Sequence, residues 1–194
     1  EYQKALELTR KAYELNCKVL GEEHPDTLGA LNNLAVVYDG LGEYQKALEL
    51  TRKAYELNCK ALGEEHPDTL TSLNNLAYEY GEVGEHQKAL ELKKKAYELR
   101  SKVLGEEHPA TLTSLNNLAY EYGEAGEHQK ALELTKKVYE LNCKVLGEDH
   151  PNTRISLGNL ESIYDKQESG KKEHDGLLRR LLNWIKNLRK WKIR

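Results

Sequence analysis

The chain has 194 residues, of which 39 % are apolar and 31 % charged, and its net charge is −3. It holds no Phe and no Met, so Leu, Ala and Tyr must fill any core. No apolar run approaches the roughly 20 residues that span a bilayer, and the opening EYQKALEL is not a secretory signal.

Every proline falls in a His-Pro pair, and the pairs His24-Pro25, His66-Pro67, His108-Pro109 and His150-Pro151 recur at a 42-residue spacing. A period of this size marks a repeat array, whose units cannot bury their apolar faces alone and must stack. Residues 1–20 match the second helix of a unit whose first helix is absent, and the start without Met reads as a fragment of a longer chain. The apolar face of this segment, with Tyr2, Ala5, Leu6, Ala12 and Tyr13, is expected to lack a partner.

Units follow at about 24–63, 66–105 and 108–147. In the second, Pro67 takes the favoured first helical position and Asp68 faces the helix dipole. Leu70, Leu73, Leu76, Ala77 and Tyr80 then recur every three or four residues, which predicts a helix over 67–81. Gly81 and Gly84 end it. A second helix is predicted over about 85–103, with the stripe Ala89, Leu90, Leu92, Ala96, Tyr97, Leu99 and Val103, stopped by Gly105.

A fourth unit is degenerate. Its first helix, 150–166, keeps Leu157, Asn159, Leu160 and Tyr164, and 167–175 reads as a polar linker. The tail, 176–194, carries +7 and no acid, leaving −10 on the rest. It aligns with the third unit's second helix at an offset of 46, with Leu177, Leu181 and Trp184 opposite Ala131, Thr135 and Val138. It therefore reads as an enlarged, basic amphipathic capping helix. Its seam Leu177, Leu181, Trp184, Leu188 and Trp191 leaves apolar surface for self-association. A simple cap, and membrane or nucleic-acid attachment through the charge, are the other readings.

The pattern Leu31-x2-Leu34-Ala35-x2-Tyr38-x3-Gly42-x-Tyr44-x2-Ala47-x6-Ala54 resembles the tetratricopeptide repeat, with Leu where the family usually has Trp. The 42-residue period and the LNNLA and GEEHPDTL phrases resemble kinesin light chain and nephrocystin-type repeats. The resemblance covers 1–166 and implies an all-α, right-handed superhelical solenoid of helical hairpins. It implies that first helices line a concave groove, as in a protein-protein interaction scaffold; Cys17, Cys59 and Cys143 read as the reduced thiols of a cytoplasmic protein.

On that face stand Asn32-Asn33, Asn74-Asn75 and Asn116-Asn117, with Asn159 alone in the fourth unit. An amide both donates and accepts, so these side chains can hold the backbone of an extended peptide. One Asn of each pair is expected instead to brace the neighbouring repeat. Tyr78 and Tyr120 lie four residues beyond the first Asn of their pairs and add apolar contact area with a polar tip. Tyr38, Tyr80, Tyr122 and Tyr164 fall on the core stripe. Asp39, Glu82 and Glu124 form an acidic rim, which favours a basic or neutral peptide.

Little else carries chemistry. Cys17, Cys59 and Cys143 occupy one repeat column, too far apart for a disulfide, and the His-Pro histidines are loop residues suited to capping. His86 and His128 replace Tyr44 and read as packing residues. No catalytic constellation, phosphate loop or metal set is legible. The expectation is a non-enzyme without cofactor or metal, binding a protein or peptide, with no nucleic-acid or membrane partner. The alternative is a structural module, engineered or natural, that forms homo-oligomers through its two ends.

Overall fold

The computed structural model describes residues 2–168 and Trp184. Eight helices follow one another: α1 (Tyr2–Leu20), α2 (Pro25–Gly40), α3 (Tyr44–Leu62), α4 (Pro67–Glu82), α5 (His86–Leu104), α6 (Pro109–Glu124), α7 (His128–Val145) and α8 (Pro151–Glu168). No strand occurs among the described residues. Each helix packs on its neighbours in sequence, which makes an all-α solenoid of hairpins. Helix α8 runs into the expected linker. The rest of the linker and the tail, Trp184 excepted, lie outside the described residues.

The His-Pro pair starts each first helix. His24, His66 and His108 are extended N-cap residues, and Pro follows inside the helix. Each His Nδ1 accepts the backbone N–H two residues on, at 3.1 to 3.2 Å, and His150 does the same. A ring nitrogen thus takes the capping place usually held by Ser, Asp or Asn. The turn inside each hairpin is set by Gly42, Gly84 and Gly126, all at positive φ near 80°. The next N–H folds back onto Tyr38, Tyr80 or Tyr122, a closure that favours glycine. Gly81 therefore does not stop α4, contrary to its sequence reading, and lies inside the helix.

The first-helix stripe is the core. Leu31, Leu73 and Ala77 are fully buried, and Leu70, Leu76 and Tyr80 nearly so. Each buried Leu contributes about 1.5–3 kcal/mol. The second-helix stripe differs from its sequence reading. In α5 the buried line is Ala89, Lys93, Ala96 and Arg100, while Val103 is exposed. Arg100 is held by Ser114 Oγ at 2.7 Å, where α3 and α7 use Asn58 with Ser72 and Asn142 with Ser156. Successive second helices are also tied by Lys53, Lys95 and Lys137, which donate to Tyr13, Tyr55 and Tyr97 one unit earlier.

The open face of α1 differs in part from the one expected: Ala12 is exposed, as its sequence reading has it, but Leu6 and Tyr13 are covered. Leu6 and Tyr13 pack against the Leu34, Tyr38 and Ala47 cluster, and Ala5 is half-buried. The exposed line is Leu8, Leu15 and Val19, with Ala12 between them. Leu6 and Tyr13 are covered because α2 packs against that side of α1. At the other end, Trp184 packs on the Leu132, Tyr139, Leu160 and Tyr164 cluster, with its ring 5.9 Å from Tyr139. Leu177, Leu181, Leu188 and Trp191 lie outside the described residues.

Candidate functional site

Neighbouring first helices bring one polar surface together. Along it Val36, Tyr78 and Tyr120 are exposed at equivalent places. The first Asn of each pair, Asn32, Asn74 and Asn116, is half-buried. Asn74 Nδ2 donates to Leu70 O within its own helix. Asn116 Oδ1 accepts from Asn159 Nδ2 of the next unit at 3.2 Å. The corresponding oxygens of Asn32 and Asn74 are buried without a partner. In the second column Asn33 is exposed and Asn75 and Asn117 are half-buried, while Asn159 of the last unit is exposed. So the first Asn points into the stack, and the second stands beside the tyrosines. Between α6 and α8 this surface deepens into a cavity of about 460 Å³, lined by Asn116, Asn117, Tyr120, Glu124, Asn159 and Ile163 among others.

Below the surface lie two buried carboxylates that periodicity alone does not reveal, Glu79 and Glu121, at 4 % and 2 % exposure. They hold the same repeat column, which is Val37 in α2 and Ile163 in α8. Glu121 is well matched. Lys93 Nζ donates to its Oε2 at 2.5 Å, and His86 Nδ1 lies 3.3 Å from its Oε1. Lys93 Nζ also sits 5.8 Å from the Tyr120 ring centre. Gly81, on the preceding first helix, brings no charge near it. His86 is exposed and faces this carboxylate, so the packing role expected for it is corrected.

Glu79 has none of this. The column of Lys93 is Thr51 here, whose hydroxyl bonds Ala47 O. The column of His86 is Tyr44, and that of Gly81 is Asp39. Two positive or ionisable groups are lost and an acid is gained. Glu79 Oε2 and Asp39 Oδ1 are both buried without a hydrogen-bond partner. Burial, reinforced by the charges of Asp39 and Glu82, pushes the Glu79 carboxyl from 4.5 up to about 7. The exposed Tyr78 hydroxyl is pushed up to about 12 by desolvation and then by Asp39 and Glu82. The acidic rim read from Asp39 and Glu82 thus has a buried floor. Glu124 belongs to the next site, where it is the chief cause of a raised Tyr120.

The missed residues were visible as departures from repeat identity. Lys93 and Glu121 are 28 positions apart, as are Thr51 and Glu79, and only a column-by-column comparison of units shows that one pair is matched and the other is not. Among the described residues no group of His, Cys, Asp and Glu could hold a metal ion, and no helix is long and apolar enough to cross a membrane. Cys17, Cys59 and Cys143 are not joined by disulfides.

A tetratricopeptide repeat model matches residues 1–60, 53–102 and 80–144. A comparison with curated proteins found no match. Among solved structures, the nearly identical repeats of a kinesin light chain from Podospora anserina align at 32 % identity, over 100 % of this chain and 89 % of theirs, with a TM-score of 0.78. A variant of that protein aligns at 31 % identity and a TM-score of 0.79, over 98 % of this chain and 88 % of its own. BtubC from P. vanneervenii aligns at 23 % identity and a TM-score of 0.75, over 98 % of this chain and 74 % of its own, a likeness of fold alone. With family model, period and capped hairpins in agreement, the chain belongs to the tetratricopeptide repeat family, in its kinesin light chain-like form, and is a protein-protein interaction scaffold.

Proposed function

We propose that the surface formed by the first helices binds an extended peptide segment of a partner protein. The observation that carries this reading is the row of Asn33, Asn75, Asn117 and Asn159 beside Tyr78 and Tyr120. Amides that donate and accept suit a peptide backbone, and exposed tyrosines supply contact area at low entropic cost. The cavity between α6 and α8 gives one stretch of this row the depth to hold a side chain. The acids Asp39, Glu82 and Glu124 along the row favour a peptide of basic character. A Rap protein of the same fold, 15 % identical, has been solved in complex with competence and sporulation factor. At that identity it supports only the fold's capacity to bind. Catalysis plays no part in this reading.

The test is a peptide selected from a random display library on the wild-type protein. Replacing Asn75 and Asn117 by Ala should weaken it about tenfold, the scale of one or two lost hydrogen bonds, while helicity is unchanged. Undiminished affinity in that double variant would sink the reading.

The second reading is association between copies, favoured by the exposed Leu8, Leu15 and Val19 of α1. Sedimentation across a range of concentrations decides it. A strict monomer throughout removes it.

A further inference from the structure

We propose that the α2–α4 joint is a receptor for a cationic side chain, of lysine type, carried by the bound partner segment, with Glu79, Asp39 and Tyr78 as its walls. This rests on the peptide-binding reading above and names what one position of that peptide must be.

The protein contains its own filled copy of this site. At the α4–α6 joint the Lys93 ammonium lies between the Glu121 carboxylate and the Tyr120 ring, at 2.5 Å and 5.8 Å. That arrangement satisfies a buried acid with a charge-assisted hydrogen bond and a cation over an aromatic face. One unit earlier the acid and the ring are kept, as Glu79 and Tyr78, and the lysine is replaced by Thr51. The neighbouring glycine is replaced by Asp39, which adds a second acid. Glu79 is almost wholly buried, and its Oε2 has no partner, like Asp39 Oδ1. A buried carboxylate left so is unfavourable, and the unit before avoids it by carrying Val37 in this column. The Glu79 joint is therefore a socket whose cation is not supplied by this chain. It meets the surface where the peptide is to lie, because Tyr78 is 47 % exposed and Glu82 is exposed.

Lysine fits better than a free metal ion. Glu79, Asp39 and Glu82 form no group that could hold a metal ion, whereas the Tyr78 ring face attracts an ammonium on a long apolar stem.

The experiment follows the Glu79 carboxyl carbon and the Tyr78 ring by NMR at pH 8, on the full chain. The probes are Nα-acetyl-lysine amide and its uncharged analogue Nα-acetyl-norleucine amide. The expected result is a saturable shift with the lysine probe and affinity about tenfold above that of norleucine, the scale of one charge-assisted hydrogen bond. Thr51→Lys should abolish it by filling the socket from within, and Thr51→Lys with Asp39→Gly brings the joint closer to its α4–α6 counterpart. Equal response to both probes, no response to either, or a lysine response that survives Thr51→Lys overturns the proposal. Display-selected peptides that lack lysine should still bind the Thr51→Lys protein, and their loss on Asn75→Ala and Asn117→Ala reports on the groove alone. The two readings therefore fail separately.

Discussion

The α4–α6 and α2–α4 joints are built on one plan, and three of the side chains that differ between them lie around the buried acid. At the first, Lys93, His86 and Gly81 surround Glu121; at the second, the corresponding residues around Glu79 are Thr51, Tyr44 and Asp39. The same buried acid is thus a structural bolt in one unit and an unmatched charge in the next. In an array of near-identical units, stacking is supplied by the shared leucines and alanines. What one unit does that its neighbour does not is left to a few exchanged residues.

Three substitutions break this comparison in order of size. Lys93→Thr removes the cation from Glu121 and should destabilise the protein by about 3 kcal/mol at pH 8, as when one partner of a buried pair is deleted. Urea unfolding at pH 8 measures it. Glu79→Val, the residue that α2 already carries in this column, should act in the opposite direction and stabilise by about 2 kcal/mol at pH 8, since it removes a buried charge and adds apolar contact. The smallest effect is expected at the caps, where His66→Ala should cost about 1 kcal/mol, read as a fall in the urea midpoint.

The pH profile sharpens the contrast. The Glu79 carboxyl has its folded value raised to about 7 from an ordinary 4.5. The folded chain therefore holds a proton that the unfolded chain has released, and stability falls as pH rises between these values. The contribution is fully present below pH 4.5 and lost above pH 7, and amounts to about 3 kcal/mol. The charged groups facing Glu79 are Asp39 and Glu82, both acids, so neither offsets this slope. Glu79→Val should flatten the curve in that window. An unchanged slope would show that another group causes it.

How much of this was legible in sequence depends on the kind of signal. Leu70, Leu73, Leu76, Ala77 and Tyr80 announce their helix by spacing, because burial of a helix face imposes a period on the chain. The His-Pro pairs mark helix starts for an equally local reason. Lys93 and Arg100 were unreadable by that rule, since charged residues are ordinarily outside. Both are buried only because a neighbouring helix offers Glu121 or Ser114. The open face of α1 was misplaced in part for a related reason: Leu6 and Tyr13 read as apolar, but which apolar residues are covered depends on which neighbour is present. The Asn pairs, and a division of labour within each, were legible in the sequence, but not which column faces the stack. Asn74 turns back onto its own helix and Asn116 takes a bond from Asn159 of the next unit. The second of these crosses units, and no local pattern encodes it.

The most direct measurement is an NMR titration of the Glu79 side-chain carboxyl between pH 4 and pH 9, in the wild type and in Thr51→Lys. The expected result is a wild-type midpoint near 7 and a fall into the ordinary carboxylate range once the introduced lysine supplies the cation. A wild-type midpoint near 4.5, or no response to the new lysine, would contradict the claim that this joint is a socket lacking its positive charge.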